Sequence, residues 1–151
     1  MFNIYAWNYR TISLILLIAV LMWRLLRRVI PKNIWNILNM AGAAVGLLLI
    51  LKFTVLGRSG SGNHEFLLVA AYSNEFFREM LMNVFLYVPF GVCLGQAAGK
   101  KTILIAFALS FVIETWQFIA GTGVAQGTDL ICNVLGAGLG QGIMSTLQRI
   151  I

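Results

Sequence analysis

A carboxylate lies inside one of the most apolar stretches of the sequence. The run 110–121 reads SFVIETWQFIAG, with Glu114 near its centre and Gln117 almost one turn later. At about 100° per residue of a helix, Ser110, Glu114 and Gln117 share one face. A charged side chain at the centre of a membrane costs about 2.5–3.5 kcal/mol on insertion scales. Such a residue usually marks a functional site.

Two further apolar runs carry polar residues in single stripes. These residues are Glu79, Asn83 and Tyr87 near the run 80–98, and Asp129 and Asn133 in the run 129–147. In antiparallel helices all three stripes fall at one depth, the outer third of the membrane. Glu114 and Asp129 are the candidate catalytic residues, because carboxylates can serve as general acid or base. The alternative is structural, with Glu114 as a protonated strut and the amides joining helices by hydrogen bonds.

The composition of the chain indicates the elements that position these residues. Of the 151 residues 60% are hydrophobic and 11% are charged, whereas a soluble domain has about 25% charged residues. Apolar runs near 20 residues long are typical of membrane-spanning helices. We therefore expect an all-α integral membrane protein with one domain over 1–151. Its five spanning segments are predicted at about 11–29, 34–56, 80–98, 102–120 and 129–147.

The basic residues predict the orientation of these segments. One side of the membrane would hold Arg24, Arg27, Arg28, Lys32, Lys100, Lys101 and Arg149, and the other Arg10, Arg58 and Arg78. The positive-inside rule places the N-terminus outside and the C-terminus in the cytoplasm. The net charge of +6 then reflects basic loops rather than a nucleic-acid partner. The long connection 57–79 is predicted to include a segment at the outer interface.

Small residues and proline predict how the helices pack. Gly136 with Gly140, and Gly138 with Gly142, have the spacing that lets two helix backbones approach closely. Pro89, followed by Gly91, removes a backbone hydrogen bond and is expected to kink its helix. We expect no metal and no cofactor, since both cysteines lie in apolar runs. His64, in a Gly/Ser loop, is expected to be solvated.

Three motifs resemble those of the VanZ-like family. They are REMLMNVFLYVPFG (78–91), SFVIETWQ (110–117) and TDLICNVLGAGLG (128–140). They are similar to the family's Asn followed by aromatic-Pro-x-Gly, its Ser-x-x-x-Glu-x-x-Gln and its Asp-Asp-x-x-x-Asn-x-x-Gly. The resemblance covers about 58–142 and includes Arg58. It implies a small protein of the bacterial plasma membrane, and the family's namesake confers low-level resistance to the glycopeptide teicoplanin.

The stripes and the resemblance together give the candidate binding residues. They are Arg58, Arg78, Asn83, Tyr87, Ser110, Glu114, Gln117, Asp129 and Asn133. The sequence departs from the family where Gln126 and Thr128 stand in place of acids. A site that needs paired carboxylates for a divalent cation would be impaired by this change, because hard cations prefer several oxygen ligands.

Three functions from different classes remain open. We favour a non-enzymatic protein whose outward-facing polar pocket binds a membrane lipid, a lipid-linked cell-wall precursor or the lipid tail of an antibiotic. The alternative is a membrane-embedded enzyme that uses carboxylate acid–base chemistry on a lipid-linked cell-wall substrate. The third alternative is a small transporter subunit. It is the least favoured, because five helices without a repeat are few for alternating access unless the chain forms a homo-oligomer.

Overall fold

A computed structural model describes Ile18, Met22 and residues 25–56, Gly62, 64–69 and 74–150. These residues fall into two compact units that divide after Trp35. In the first unit residues 25–29 are helical, and the Arg27 guanidinium lies 5.7 Å from the centroid of the Trp35 ring. The first predicted segment, 11–29, lies mostly outside the described residues.

Long apolar helices make up almost all of the described chain. Helix α1 (Lys32–Leu51) continues as a π-helix (Lys52–Leu56), and α2 (Asn74–Ala98), α3 (Lys101–Ala120) and α4 (Gly127–Ile150) follow. Within this part of the chain, four helical stretches are long and apolar enough to cross a membrane. The prediction of an all-α membrane protein is confirmed, and four of its five segments are present as helices. The orientation stays a prediction.

Helix α2 is longer at its N-terminal end than predicted. It begins at Asn74 rather than near residue 80, so the end of the connection 57–79 is part of the helix. It also continues through Pro89, which lies on the exposed side of α2. A tight turn at Gly99, with φ of 54°, then leads into α3.

The most extensive contact among the described helices joins α2 to α4. Gly136 lies against the backbone carbonyl of Val84, and Gly140 against that of Val88. A Cβ atom at either glycine would overlap the α2 backbone, so only glycine permits this approach. We call the contact of Gly136 and Gly140 with α2 the glycine seam.

Gly138 and Gly142 face a different environment. A Cβ atom at either position would meet nothing within 4 Å. Both glycines line an apolar groove of about 710 Å³ on α3 and α4, which runs from Val134 to Leu147. Of the two glycine pairs, only the first lies against another helix in the described structure.

The hydrophobic core of the second unit lies where α1 to α4 meet. It consists of Ile50, Tyr87, Phe90, Ala106, Ile113 and Ala137. The rings of Tyr87 and Phe90 are edge to face, with centroids 6.2 Å apart. This core includes Tyr87, whose hydroxyl is one of the polar groups described below.

A short pair of parallel β-strands joins two of the segments that connect the helices. Strand β1 (Phe66–Leu67) pairs with β2 (Ala125–Gln126), and Phe66 is opposite Ala125. The N–H of Ala125 also donates to the carbonyl of Glu65, at 3.1 Å. Residues 64–69 are otherwise exposed. The connection before α2 is therefore attached to the connection between α3 and α4.

Candidate functional site

Helix α3 has a polar buried face and an apolar exposed face. Its buried residues follow one another at helical spacing and are Thr102, Ala106, Ser110, Ile113, Glu114 and Gln117. Large apolar residues on the other faces, such as Leu104 and Val112, are more than 60% exposed. A helix of a soluble protein has the opposite arrangement. This pattern fits a helix that faces lipid outside and polar partners inside.

Ser110 is the point at which three helices meet. The amide Nδ2 of Asn133 on α4 donates to Ser110 Oγ over 2.8 Å. The hydroxyl of Tyr87 on α2 lies beside Ser110 and within electrostatic reach of Glu114. All three side chains are fully or almost fully buried. The structure thus brings together predicted residues from the three stripes.

Glu114 connects α3 to β2. Its Oε2 atom accepts a hydrogen bond of 2.8 Å from the backbone N–H of Gln126. The side chain is only 8% exposed. Sequence reasoning did not identify this donor, because it is a backbone atom and any residue at position 126 except proline could supply it.

Gln117 connects α3 to the end of the first described span. Its Nε2 atom donates to the backbone carbonyl of Thr54 over 2.8 Å. Thr54 lies in the π-helix, and its own hydroxyl donates to the carbonyl of Ile50. Hydrogen bonds of a π-helix span five residues instead of four. The sequence carries no signal for this change of winding, and the role of Thr54 was therefore missed.

We call Tyr87, Ser110, Glu114, Gln117 and Asn133 the polar cluster. Three of its buried oxygens have no hydrogen-bond partner in the described structure: the Tyr87 hydroxyl, Gln117 Oε1 and Asn133 Oδ1. A buried polar atom without a partner costs about 1–3 kcal/mol, so each such atom requires an explanation. The cluster is closed to solvent and rich in hydrogen-bond acceptors.

The other predicted binding residues lie around the polar cluster. Arg78 and Asn83 are half-buried on α2, and Asp129 is half-buried in the first turn of α4. Among the described residues, no hydrogen bond joins Asn83 to the cluster. Asp129 precedes Asn133 by one turn and is favourably placed at a helix N-terminus. Arg58 lies outside the described residues.

The two positions where the sequence departs from the family motif contact each other. The Thr128 hydroxyl donates to Gln126 Oε1 over 3.3 Å. These two side chains are thus joined by a hydrogen bond at the positions where the resemblance implies acids. The described part of the chain contains no group of three or more His, Cys, Asp or Glu residues placed to hold a metal.

His64 is exposed, as expected, but its ring is not free. His64 Nδ1 lies 2.7 Å from the carbonyl oxygen of Phe118, near the end of α3. That end is closed by Gly121 in the left-handed conformation, with φ of 60° and its N–H donating to the carbonyl of Gln117. His64 and the β1–β2 pair therefore attach to the end of α3 that carries Glu114 and Gln117.

Comparisons with known proteins agree with the three motifs. The VanZ/LLP1 family matches residues 11–148. Protein VanZ from Enterococcus faecium is 40% identical over 68 residues, which cover 42% of this chain and 42% of that protein. The chain thus aligns with less than half of that relative's length. No solved structure matches the chain.

Proposed function

The chain belongs to the VanZ/LLP1 family, and from this premise we propose that it is a binding protein of the bacterial plasma membrane. Its polar cluster accepts the polar group of a lipid-linked ligand. By holding that ligand the protein contributes to protection against lipid-bearing glycopeptides such as teicoplanin, or to the handling of envelope lipids. The protein does not need to transform the ligand for this function.

One observation carries the proposal: three buried oxygens of the polar cluster lack partners. A purely structural set of polar side chains would have its hydrogen bonds satisfied, because an unsatisfied network is less stable than an apolar core. Ser110 and Asn133 do form such a structural bond. The remaining acceptor atoms favour a ligand that completes the network.

The closed cluster would open at the contact between Glu114 and Gln126. The backbone N–H of Gln126 donates to Glu114 Oε2 and so joins β2 to α3. When β2 moves away, this bond breaks and Glu114 is exposed at the end of α3. We place that end in the outer leaflet, as the positive-inside rule predicts.

The apolar groove supports a ligand with a lipid chain. It is lined by apolar and small residues of α3 and α4 and lies on the face of α4 that carries Gly138 and Gly142. Its volume of about 710 Å³ is large enough for an acyl chain. A ligand of this kind would place its polar group in the cluster and its chain in the groove.

Replacing the carboxylate tests the proposal. Glu114→Gln keeps the size of the side chain and an acceptor for the Gln126 N–H, but it removes the acidic group. We expect this variant to be folded and to lose protection of a susceptible bacterium against teicoplanin. Asp129→Asn is expected to behave alike, and the double variant to be little worse, because residues of one site are not additive.

The controls separate loss of function from loss of fold. Thr102→Val changes another fully buried hydroxyl of α3, about 18 Å along the helix from Glu114, and should leave protection intact. Vancomycin, which has no lipid tail, serves as the control drug. Full protection by the folded Glu114→Gln and Asp129→Asn variants would contradict the proposal. Absence of protection by the wild-type chain would contradict its antibiotic part.

A further inference from the structure

We infer that the exposed apolar residues 66–69 insert their side chains into the membrane and contact lipid at the boundary between headgroups and acyl chains. We call this segment the apolar strap. Its contact with lipid holds the β1–β2 pair against the end of α3 that carries Glu114. The surface lies outside the polar cluster, and the inference does not depend on which ligand the cluster binds.

All four residues of the apolar strap are hydrophobic and exposed. Phe66 is 60% exposed, Leu67 41%, Leu68 74% and Val69 66%. Contiguous apolar patches on a protein surface usually mark interaction sites, because their contact with water is unfavourable. The apolar strap therefore requires a partner that removes its side chains from water.

The geometry of β1 distinguishes lipid from a protein partner. Successive side chains of a strand point to opposite faces, and Phe66 and Leu67 are both exposed. The β1–β2 pair is thus apolar on both faces of β1. A docked protein would cover one face and leave the other in water. Lipid chains surround an inserted segment and can cover both faces at once.

The apolar strap lies beside the ends of two membrane-spanning helices. His64, which precedes it, contacts the carbonyl oxygen of Phe118 near the end of α3. A Cβ atom at Gly127, the first residue of α4, would lie 2.8 Å from the carbonyl oxygen of Leu68. Helices of this length end near the membrane boundary. The apolar strap is therefore held at the level of that boundary.

The lipid-facing surface of α3 leads to the apolar strap. Trp116 and Ile119 are exposed large apolar residues near the end of α3. Tryptophan is enriched at the interface between membrane and water, where its ring lies among the headgroups. Phe118 is exposed on the same stretch and packs edge to face on the His64 ring, with centroids 6.4 Å apart. The apolar strap thus continues a surface that already faces lipid.

The backbone limits the depth of insertion. In the described structure the sheet has two strands, so one edge of β1 has no neighbouring strand. Peptide groups that lack partners are excluded from the hydrocarbon core, because lipid chains offer no hydrogen bonds. The backbone of the apolar strap accordingly stays among headgroups and water, and its side chains reach the acyl chains, as in other interfacial segments.

Strand β2 couples the apolar strap to the polar cluster. Leu67 pairs with Gln126, and the backbone N–H of Gln126 donates to Glu114 Oε2. Lipid that fixes the position of the apolar strap therefore also fixes the position of this N–H. Removing the contact with lipid should loosen the connection 121–126.

Spin labels report the surroundings of the apolar strap directly. The full chain, with its native cysteines replaced, carries a nitroxide on Phe66→Cys, Leu67→Cys or Leu68→Cys in vesicles of phosphatidylcholine and phosphatidylglycerol. Oxygen concentrates in lipid and a nickel chelate stays in water, so the ratio of their collision rates with the nitroxide reports its depth. We expect this ratio to be about threefold or more above that of Glu65→Cys at each position, because only apolar side chains insert.

The same measurement can overturn the inference. More frequent collisions with the nickel chelate at the three positions would place the apolar strap in water. Few collisions with either reagent would show that protein covers it, either a second copy of the chain or another partner. A nitroxide at Phe66 in lipid with one at Leu67 in water, or the reverse, would contradict insertion of both faces.

A charged substitution tests the coupling to Glu114. Leu68→Asp changes the most exposed side chain of the apolar strap and should withdraw it from lipid. In nanodiscs we expect hydrogen exchange at residues 121–126 to become about fivefold faster, because the connection opens locally, with exchange in the middle of α3 unchanged. Leu68→Met, which stays apolar, is the matched control. Unchanged exchange in Leu68→Asp, with the spin label at Phe66 in water, would overturn the coupling.

Discussion

Helix α4 makes two contacts that differ in kind. Toward α2 it presents the glycine seam, where Gly136 and Gly140 bring backbone against backbone. Toward α3 it presents Asn133, which meets Ser110 through one hydrogen bond and keeps an oxygen without a partner. The first contact is closely packed, and the second leaves a buried polar atom without a hydrogen-bond partner. A single helix thus has one closely packed face and one face with an unsatisfied polar atom.

The difference has an energetic basis. Helices in a membrane associate through close packing, because lipid chains are as apolar as the side chains that they replace. The glycine seam provides such packing over an extended contact. The polar cluster, with three unsatisfied oxygens, opposes folding by about 1–3 kcal/mol for each. The seam is one of the contacts that offset this cost.

The largest expected effect concerns the side of the membrane on which the Glu114 end of α3 lies. In a background without Cys93 and Cys132, single cysteines at the exposed positions Glu65 and Lys100 are treated with an impermeant thiol reagent in intact cells. The predicted orientation requires full labelling at Glu65 and none at Lys100. The reverse pattern would place the Glu114 end of α3 on the cytoplasmic side.

The next effect breaks the glycine seam. Gly140→Leu would place a side chain against the Val88 carbonyl, which cannot yield because it is backbone. We expect a loss of about 3 kcal/mol or more in stability, measured by thermal unfolding in detergent. Gly138→Leu is the matched control, since its Cβ meets nothing within 4 Å. Equal losses from both substitutions would show that the two faces of α4 do not differ in this way.

A smaller effect is expected where the connections attach to α3. His64→Ala removes the contact with the Phe118 carbonyl, and we expect about 1 kcal/mol of lost local stability. Hydrogen exchange at residues 121–126 should become faster. Glu65→Ala is the control, because Glu65 pairs with Ala125 through its backbone carbonyl. Unchanged exchange in His64→Ala would mean that the ring does not hold this connection in place.

The smallest effect is expected inside the polar cluster. Tyr87→Phe deletes a buried hydroxyl that has no partner and keeps the ring that packs on Phe90. The free energy of unfolding should rise by about 1 kcal/mol, at the low end of the cost of an unsatisfied buried group, because the hydroxyl is removed and no hydrogen bond is lost. A destabilisation would show that the hydroxyl is a structural element, and the contrast with the seam would disappear.

The sequence predicted the parts of this molecule that depend on side-chain periodicity. Four of the spanning segments follow from runs of apolar residues, and the face shared by Ser110, Glu114 and Gln117 follows from helical spacing. Periodicity also placed Gly136 and Gly140 on one stripe of α4 with Asn133. It could not tell that this glycine pair meets α2, because that depends on how the helices are arranged.

Contacts made by backbone atoms could not be predicted from the sequence. Glu114 and Gln117 are held by a backbone N–H at Gln126 and a backbone carbonyl at Thr54. Every residue has such a carbonyl and every residue except proline such an N–H, so neither partner leaves a trace in the sequence. The π-helix at Lys52–Leu56 and the attachment of His64 to Phe118 are hidden for the same reason. The orientation in the membrane stays a prediction.

The parallel pairing of Phe66 with Ala125 also limits how many times the chain between them can cross the membrane. Residues that share a hydrogen-bonded ladder must be on the same side of a bilayer, and the chain between them must cross an even number of times. Helices α2 and α3 supply two crossings. The pairing can therefore form only after both helices have been inserted, and it closes a long loop at an entropic cost. We expect it to form late in biogenesis, after both of these helices have crossed the membrane.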